Sequence, residues 1–369
     1  MRRKDRSTLK RIGILTSGGD CQGLNAAIRG IGKALYCKLG QNVEIYGIHD
    51  GYLGLINGFY HKMSPENFSG ILTLGGTILG TSRQPYKSIR ATKQSSHDKV
   101  QCMKDTYHRM QLDCLIILGG NGTHKTANLL SEEGLNVITL PKTIDNDVWG
   151  TDMTFGFSSA VEIASHVIDC IHTTATSHGR VFIVETMGHK VGWLTLHAGI
   201  AGGADVILLP EFPYNIESVA EALERRNRAG KRFSILAVAE GAISGDEAKL
   251  SKKQFKAERQ KMKYPSISYR LADEIGKMTG QEIRVTVPGH FQRGGSPCPY
   301  DRILATRFGA AAAKLVEEEK YGYMVALKNG SILPVPLHDV AGKLKNVPKN
   351  CELVRTAQEI GINFGCDFD

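Results

Sequence analysis

Three loop sequences in this chain place glycines, acids and cations where phosphate chemistry could use them. Thr16, Ser17, Gly18, Gly19 and Asp20 come directly after an apolar run and directly before a helical pattern that starts near Leu24. At such a turn glycines let the backbone approach a phosphate closely, and the helix amino end favours negative charge. A plain tight turn would use the same glycines. A second loop of this kind, Gly119, Gly120, Asn121, Gly122 and Thr123, leads into a helix with His124 and Lys125 near its start. Neither loop has the GxxxxGK[ST] pattern, and neither fits GxGxxG, because Lys125 stands where the last glycine belongs. The third stretch is Pro141, Lys142, Thr143, Ile144, Asp145, Asn146 and Asp147. Two carboxylates two residues apart at the end of a parallel strand can hold a magnesium ion and accept a proton from an attacking hydroxyl, the two needs of phosphoryl transfer. An Asx-turn accounts for the same residues without any chemistry.

Later loops add cations and groups suited to a sugar. Arg180 precedes the apolar run VFIVE, and Met187, Gly188, His189 and Lys190 follow it. Glu240 and Gly241 come after another apolar run, and the segment from Arg284 to Ser296 sets Arg284, His290 and Arg293 among glycines. Arginine forks suit phosphate oxygens bidentately, whereas a glutamate or histidine suits sugar hydroxyls.

The elements that must position these loops alternate. Apolar, strand-like runs occur at Ile12 to Leu15, Val43 to Ile48, Cys114 to Leu118, Val137 to Leu140, Val181 to Val184, Val206 to Leu209 and Ile235 to Val238. Between them the spacing predicts helices over Leu24 to Lys38, Thr123 to Leu130, Ala160 to His172, Ile216 to Arg228, Ile267 to Met278 and Ile303 to Glu319. Strands apolar on both faces, alternating with helices, imply an α/β architecture of mostly parallel sheets covered on both sides, and 369 residues suit two such lobes.

With 41% hydrophobic and 22% charged residues the chain can build sizeable cores, and no apolar run approaches the roughly 20 residues that span a bilayer. No membrane partner is expected. The basic, polar stretch Met1 to Lys10 lacks the apolar centre of a secretory signal, so the expected address is cytoplasmic. Eight scattered cysteines without a CxxC pair read as reduced thiols. A net charge of +9 favours acidic partners, whether nucleic acid, anionic membrane or phosphorylated metabolites. The lysine-rich stretch between Gly245 and Pro265 reads as a solvated surface helix or lid, since no aromatic residue beyond Phe255 is interleaved for stacking on bases.

Taken together, TSGGDCQGLN, GGTILGTSR, GGNGT, PKTIDND, MGHKVGW, the glutamate of AVAEG, and PGHFQRGGSPCPYDR resemble the 6-phosphofructokinase family in order and approximate spacing, from about Arg11 to Gly309. The resemblance implies two doubly wound α/β lobes: 1–156 plus about 292–342 for the phosphoryl donor, and 157–291 plus about 343–369 for fructose 6-phosphate. It further implies a homotetramer or homodimer whose sugar sites are shared between subunits. No nucleic-acid partner is expected, since phosphate-metabolite sites account for part of the basic charge. By position Asp145 resembles the base that takes the proton of the sugar 1-hydroxyl, with Thr143 and Asp147 beside it. Gly19 and its neighbours, with Gly120, Asn121, Gly122 and Thr123, resemble the cradle of the donor phosphates, which Arg83 reaches. Arg180 and Arg284 resemble the pair that grips the sugar phosphate from a neighbouring subunit, and Met187, Gly188, Glu240, His290 and Arg293 the rest of the sugar pocket.

In that family Gly122 goes with ATP as donor and Lys142 with pyrophosphate; some ATP-using branches combine the two. A side chain at position 122 would collide with adenine, whereas Lys142 can turn aside, so ATP with Mg2+ is the expected pair and pyrophosphate the alternative. Asn121 replaces an aspartate that helps hold the metal, and His189 replaces an arginine that steadies the transferring group; Lys142 or Lys190 could make up the charge. These two departures keep a catalytically weak sugar-phosphate-binding paralogue open as a third reading. Phe59 and His172 fall where bacterial ATP enzymes carry arginines that contact the nucleotide effector and phosphoenolpyruvate, so weak or absent control by those ligands is expected, although Arg29 and Lys231 keep positive charge.

Overall fold

The computed structural model describes residues 9–91 and 98–368; the basic start of the chain, up to residue 8, lies outside them. Contacts divide the chain into two compact units, Met1–Ser159 with Arg293–Lys345 and Ala160–Gln292 with Asn346–Asp369. The strands among the described residues are β1 (Lys10–Ser17), β2 (Val43–Ile48), β3 (Tyr60–Met63), β4 (Cys114–Gly119), β5 (Val137–Pro141), β6 (Val181–Thr186), β7 (Val206–Leu208), β8 (Ser234–Ala239), β9 (Ile283–Thr286), β10 (Tyr323–Lys328) and β11 (Ser331–Pro336).

The first unit is built on a seven-stranded sheet in the order β11-β10-β5-β4-β1-β2-β3. Its interior pairs, from β10 to β2, are parallel, and only the edge pairs β2/β3 and β10/β11 are antiparallel. Every residue of β4 and β5 is buried, as a sheet covered by helices on both faces requires. The edge strands are short and polar or carry prolines, as Pro334 and Pro336 do in β11. The helices Leu24–Leu39 and Pro299–Glu317 cross on glycines. A β-carbon on Gly309 would sit 2.7 Å from the Ala27 carbonyl oxygen and the Ile31 nitrogen, so the two backbones touch where they pass. The second helix begins at Pro299 rather than at Ile303, because proline's fixed φ suits a first helical position.

The second unit holds a parallel four-stranded sheet, β7-β8-β6-β9. Helices Ile216–Arg228 and Ile267–Thr279 close its core through Val219, Leu223, Leu271 and Ile275, packed against Ile183, Leu208, Leu236 and Val238. The tail docks beside β7, with Ile207 donating to the Asn363 carbonyl at 2.9 Å and Phe212 set edge-on to Phe364. In the lysine-rich stretch the helix Lys252–Lys261 turns Phe255 and Arg259 inward and leaves Lys252, Lys253 and Lys256 exposed, the solvated arrangement expected. Among the described residues no helix is long and apolar enough to cross a membrane, and the eight cysteines are free thiols.

Candidate functional site

In the first unit the chain leaves β1 toward β2 on one side and returns to pair β4 on the other. That reversal opens a crevice at the carboxyl ends of β1 and β4, where open α/β sheets bind ligands. The three glycine and carboxylate loops meet there. Ser17 pairs with Gly119 at the ends of β1 and β4, and Gly119 with Pro141 at the end of β5. Thr123 Oγ1 donates to the Ser17 carbonyl at 3.4 Å, and the Lys142 N–H to the Gly119 carbonyl at 2.9 Å.

Polar contacts set the first loop. Gly18 takes φ +89°, its N–H donates to the Ser82 carbonyl at 3.1 Å, and its own carbonyl accepts from Thr81 Oγ1 at 2.7 Å. Buried Asn25 holds the flanking strap from both sides, donating to the Leu74 and Gly75 carbonyls and accepting from the Ile78 N–H at 2.8 Å. The strap brings Arg83 to Gly19, where a β-carbon would lie 3.4 Å from Arg83 Nη2 and 2.7 Å from Arg293 Nη1. Arg293, expected among the sugar residues, lies beside this loop. It belongs to the first unit, and its guanidinium donates to the Asp20 carbonyl at 2.9 Å. Two guanidinium groups thus flank the glycine loop.

The helix Asn121–Glu132 starts at Gly120 with no side-chain cap and no acid in its first turn, leaving its leading N–H groups for an anion. A β-carbon at Gly122 would meet nothing within 4 Å, so the fold itself does not demand glycine there. Behind the helix start, buried His124 donates from Nδ1 to the Gly120 carbonyl at 2.7 Å. Burial pushes its pKa down from 6.5 to about 4, and the charge of Lys142 acts in the same sense. Between those values the unfolded chain binds a proton that the folded one refuses, so stability falls as pH drops through this window. A His124→Asn variant should flatten the dependence of Tm on pH between 6.5 and 4; a slope equal to the parent's would show that this histidine is not the group responsible.

In the third loop Thr143, Asp145 and Asp147 are partly exposed while Ile144, Asn146 and Val148 are buried. Asp145 donates its N–H to Thr143 Oγ1 at 3.1 Å. Asn121, expected as a metal ligand, donates from Nδ2 to the Lys343 carbonyl, a bond an aspartate could not make. One oxygen, Oδ1, is left for a cation. Among the described residues no cluster of three or more His, Cys, Asp or Glu side chains could cage a metal.

In the second unit Met187, Glu240 and His290 follow the carboxyl ends of β6, β8 and β9. Met187 N–H donates to Gln292 Oε1 at 3.2 Å, Glu240 N–H to the Thr186 carbonyl at 2.9 Å, and Gly241 N–H to the Gly188 carbonyl at 3.2 Å. A side chain on Gly241 would strike the His189 carbonyl, so these turns touch backbone to backbone, while the His189 and Lys190 side chains lie exposed. Arg180 and Arg284 stand at the other end of the sheet. Glu282 bonds both, Arg180 at 2.6 Å, just before β6 and at the start of β9. The six residues of β6 separate this pair from Met187 by about 20 Å.

The phosphofructokinase family model matches residues 11–316. This chain belongs to the phosphofructokinase family. The ATP-dependent 6-phosphofructokinase of Spirochaeta thermophila is 54% identical over 98% of this chain and 99% of that protein. The phosphofructokinase of Saccharomyces cerevisiae, a solved structure, is 31% identical with a TM-score of 0.74; the match covers 89% of this chain and 45% of that one. The pyrophosphate-dependent phosphofructokinase of Nitrosospira multiformis, at 19% identity and a TM-score of 0.80 over 96% of this chain and 92% of its own, shares the fold.

In this phosphofructokinase Lys142 is 3% exposed, donates from Nζ to the Gly19 carbonyl, and is held below the usual lysine pKa by burial. It serves as the floor of the glycine loop. Of the residues flagged for effectors, Phe59 is exposed, while His172 is engaged with the Gly202 carbonyl at 2.7 Å.

Proposed function

We propose that this chain is an ATP-dependent 6-phosphofructokinase, transferring the γ-phosphoryl group of ATP to the 1-hydroxyl of fructose 6-phosphate. The observation that carries the reading is the meeting, at one reversal of strand order, of an uncapped helix start, a glycine loop flanked by Arg83 and Arg293, and the Asp145 loop. Leading N–H groups and guanidinium forks bind donor phosphates, and Asp145 accepts the proton of the attacking hydroxyl. Met187, Gly188, Glu240 and His290 orient the sugar, and His189 offers a donor toward the transferring group. Oxygen ligands suit magnesium, and Asn121 Oδ1 is the protein atom that would touch it; an ion carried on ATP phosphates needs only one or two protein ligands. When bound, magnesium offsets charge on the phosphate oxygens.

The separation of Arg180 and Arg284 from Met187 supports sugar sites completed by a second copy of the chain. One sugar phosphate cannot span a strand of about 20 Å, so the arginine pair of one subunit would serve the site of its neighbour.

Open space at Gly122 and the identity to an ATP-dependent relative favour ATP. Initial rates of fructose 1,6-bisphosphate formation should show turnover with ATP and none with pyrophosphate; the reverse would move the donor to pyrophosphate, and turnover with neither would overturn the kinase reading. Gly122→Asp should lose on the order of a hundredfold in kcat/KM for ATP, from like charge beside the donor phosphates. Its Tm should stay unchanged, because the new β-carbon meets nothing within 4 Å.

A further inference from the structure

Lys345 takes no part in the roles above, yet it closes the loop that carries Asp145. Residues 343–345 run beside that loop: Leu344 bridges Val148 antiparallel, Lys345 N–H donates to the Asp147 carbonyl at 3.0 Å, and the Lys343 carbonyl accepts from Asn121. A lobe boundary near 342 was expected; these residues stay with the first unit because of those bonds. The Lys345 ammonium donates to Asn146 Oδ1 at 2.8 Å, to the Asp152 carbonyl at 2.8 Å and to the Thr151 carbonyl at 3.0 Å. Three N–H donors thus meet three oxygens.

Asn146 lies between the two carboxylates at φ +51°, a left-handed conformation that asparagine tolerates better than most residues other than glycine, and it is 4% exposed. Its Oδ1 also accepts the Thr154 N–H at 3.1 Å. The left-handed turn at this residue lies between Asp145 and Asp147, both partly exposed.

We propose that Lys345 is a positioning residue for phosphoryl transfer: by locking the Asn146 side chain and the 151–152 carbonyls it fixes the backbone turn that aims the Asp145 carboxylate. The proposal rests on Asp145 as the base, and its test separates the two. In Lys345→Met the hydrocarbon stem stays and the donors go. Misaiming of the base should lower kcat by about tenfold or more, with KM for ATP and fructose 6-phosphate within about twofold. Amide exchange across 146–154 should quicken in the same variant. Asn146→Gly keeps the positive φ accessible while removing the acceptor, and the double variant should lose less than the product of the two single losses, since both act through one turn. Unchanged kcat with unchanged exchange, a rise in KM alone, or losses that multiply would each overturn the proposal. Should the parent enzyme turn over neither donor, the base reading falls, and the exchange measurement still decides whether Lys345 holds the turn. Should Lys345→Met fail to fold, Asn146→Gly alone carries the decision, and a parental kcat there overturns the proposal.

Discussion

An Asp145→Asn enzyme should lose on the order of a thousandfold in kcat, while KM for both substrates moves by less than about threefold. Asparagine matches the carboxylate in shape and keeps the partly exposed position and the backbone bond to Thr143 Oγ1, so binding and folding are preserved. What it cannot do is accept the proton released as the 1-hydroxyl attacks. General bases contribute roughly 10²–10⁴ in rate, and the middle of that range is the expected loss. Initial rates of fructose 1,6-bisphosphate formation at saturating ATP give the number, and an unchanged Tm guards against a folding defect. A loss below about tenfold would mean another group takes the proton, with Asp147, partly exposed two residues on, the next to substitute.

Mixing two inactive variants should restore activity. Arg284→Ala and Asp145→Asn are each expected near background on their own. After dissociation and random reassembly, half of the pairs are hybrids, and in each hybrid one site joins an intact Asp145 to an intact Arg284 from the other chain. About a quarter of parental activity should therefore return. The prediction follows from Glu282 gathering Arg180 and Arg284 at the amino ends of β6 and β9, while Met187, Glu240 and His290 follow the carboxyl ends. If each chain uses its own arginines, the mixture stays at background and the shared-site reading is lost.

Much of this was legible in the sequence because parallel strands buried on both faces leave unbroken apolar runs, as β4 and β5 do. The strands left out of the sequence reading have other causes. β3 is a polar edge strand, β9 has four residues, and β11 carries two prolines; β10 offered an apolar run, MVAL, that the reading did not take up. Motif position picked out the glycine loops and Asp145 but not what holds them. The Asn121 bond to Lys343 and the Lys345 clamp join residues about 200 positions apart, and no local pattern reports such pairs. For Lys142 and Arg293 residue type shows that a cation is present, and only packing shows which carbonyl it meets.

Neither unit is one continuous stretch of chain, and this bears on how the protein is made. β5 emerges from the ribosome long before β10, its parallel neighbour, and the helix Leu24–Leu39 long before Gly309 and the helix that crosses it. At typical synthesis rates the stretch between β5 and β10 takes roughly ten to forty seconds, during which the edge of a strand that is buried in the folded unit stands open. The nascent first unit is thus a half-sheet whose β5 edge finds its partner only when Tyr323–Lys328 arrives.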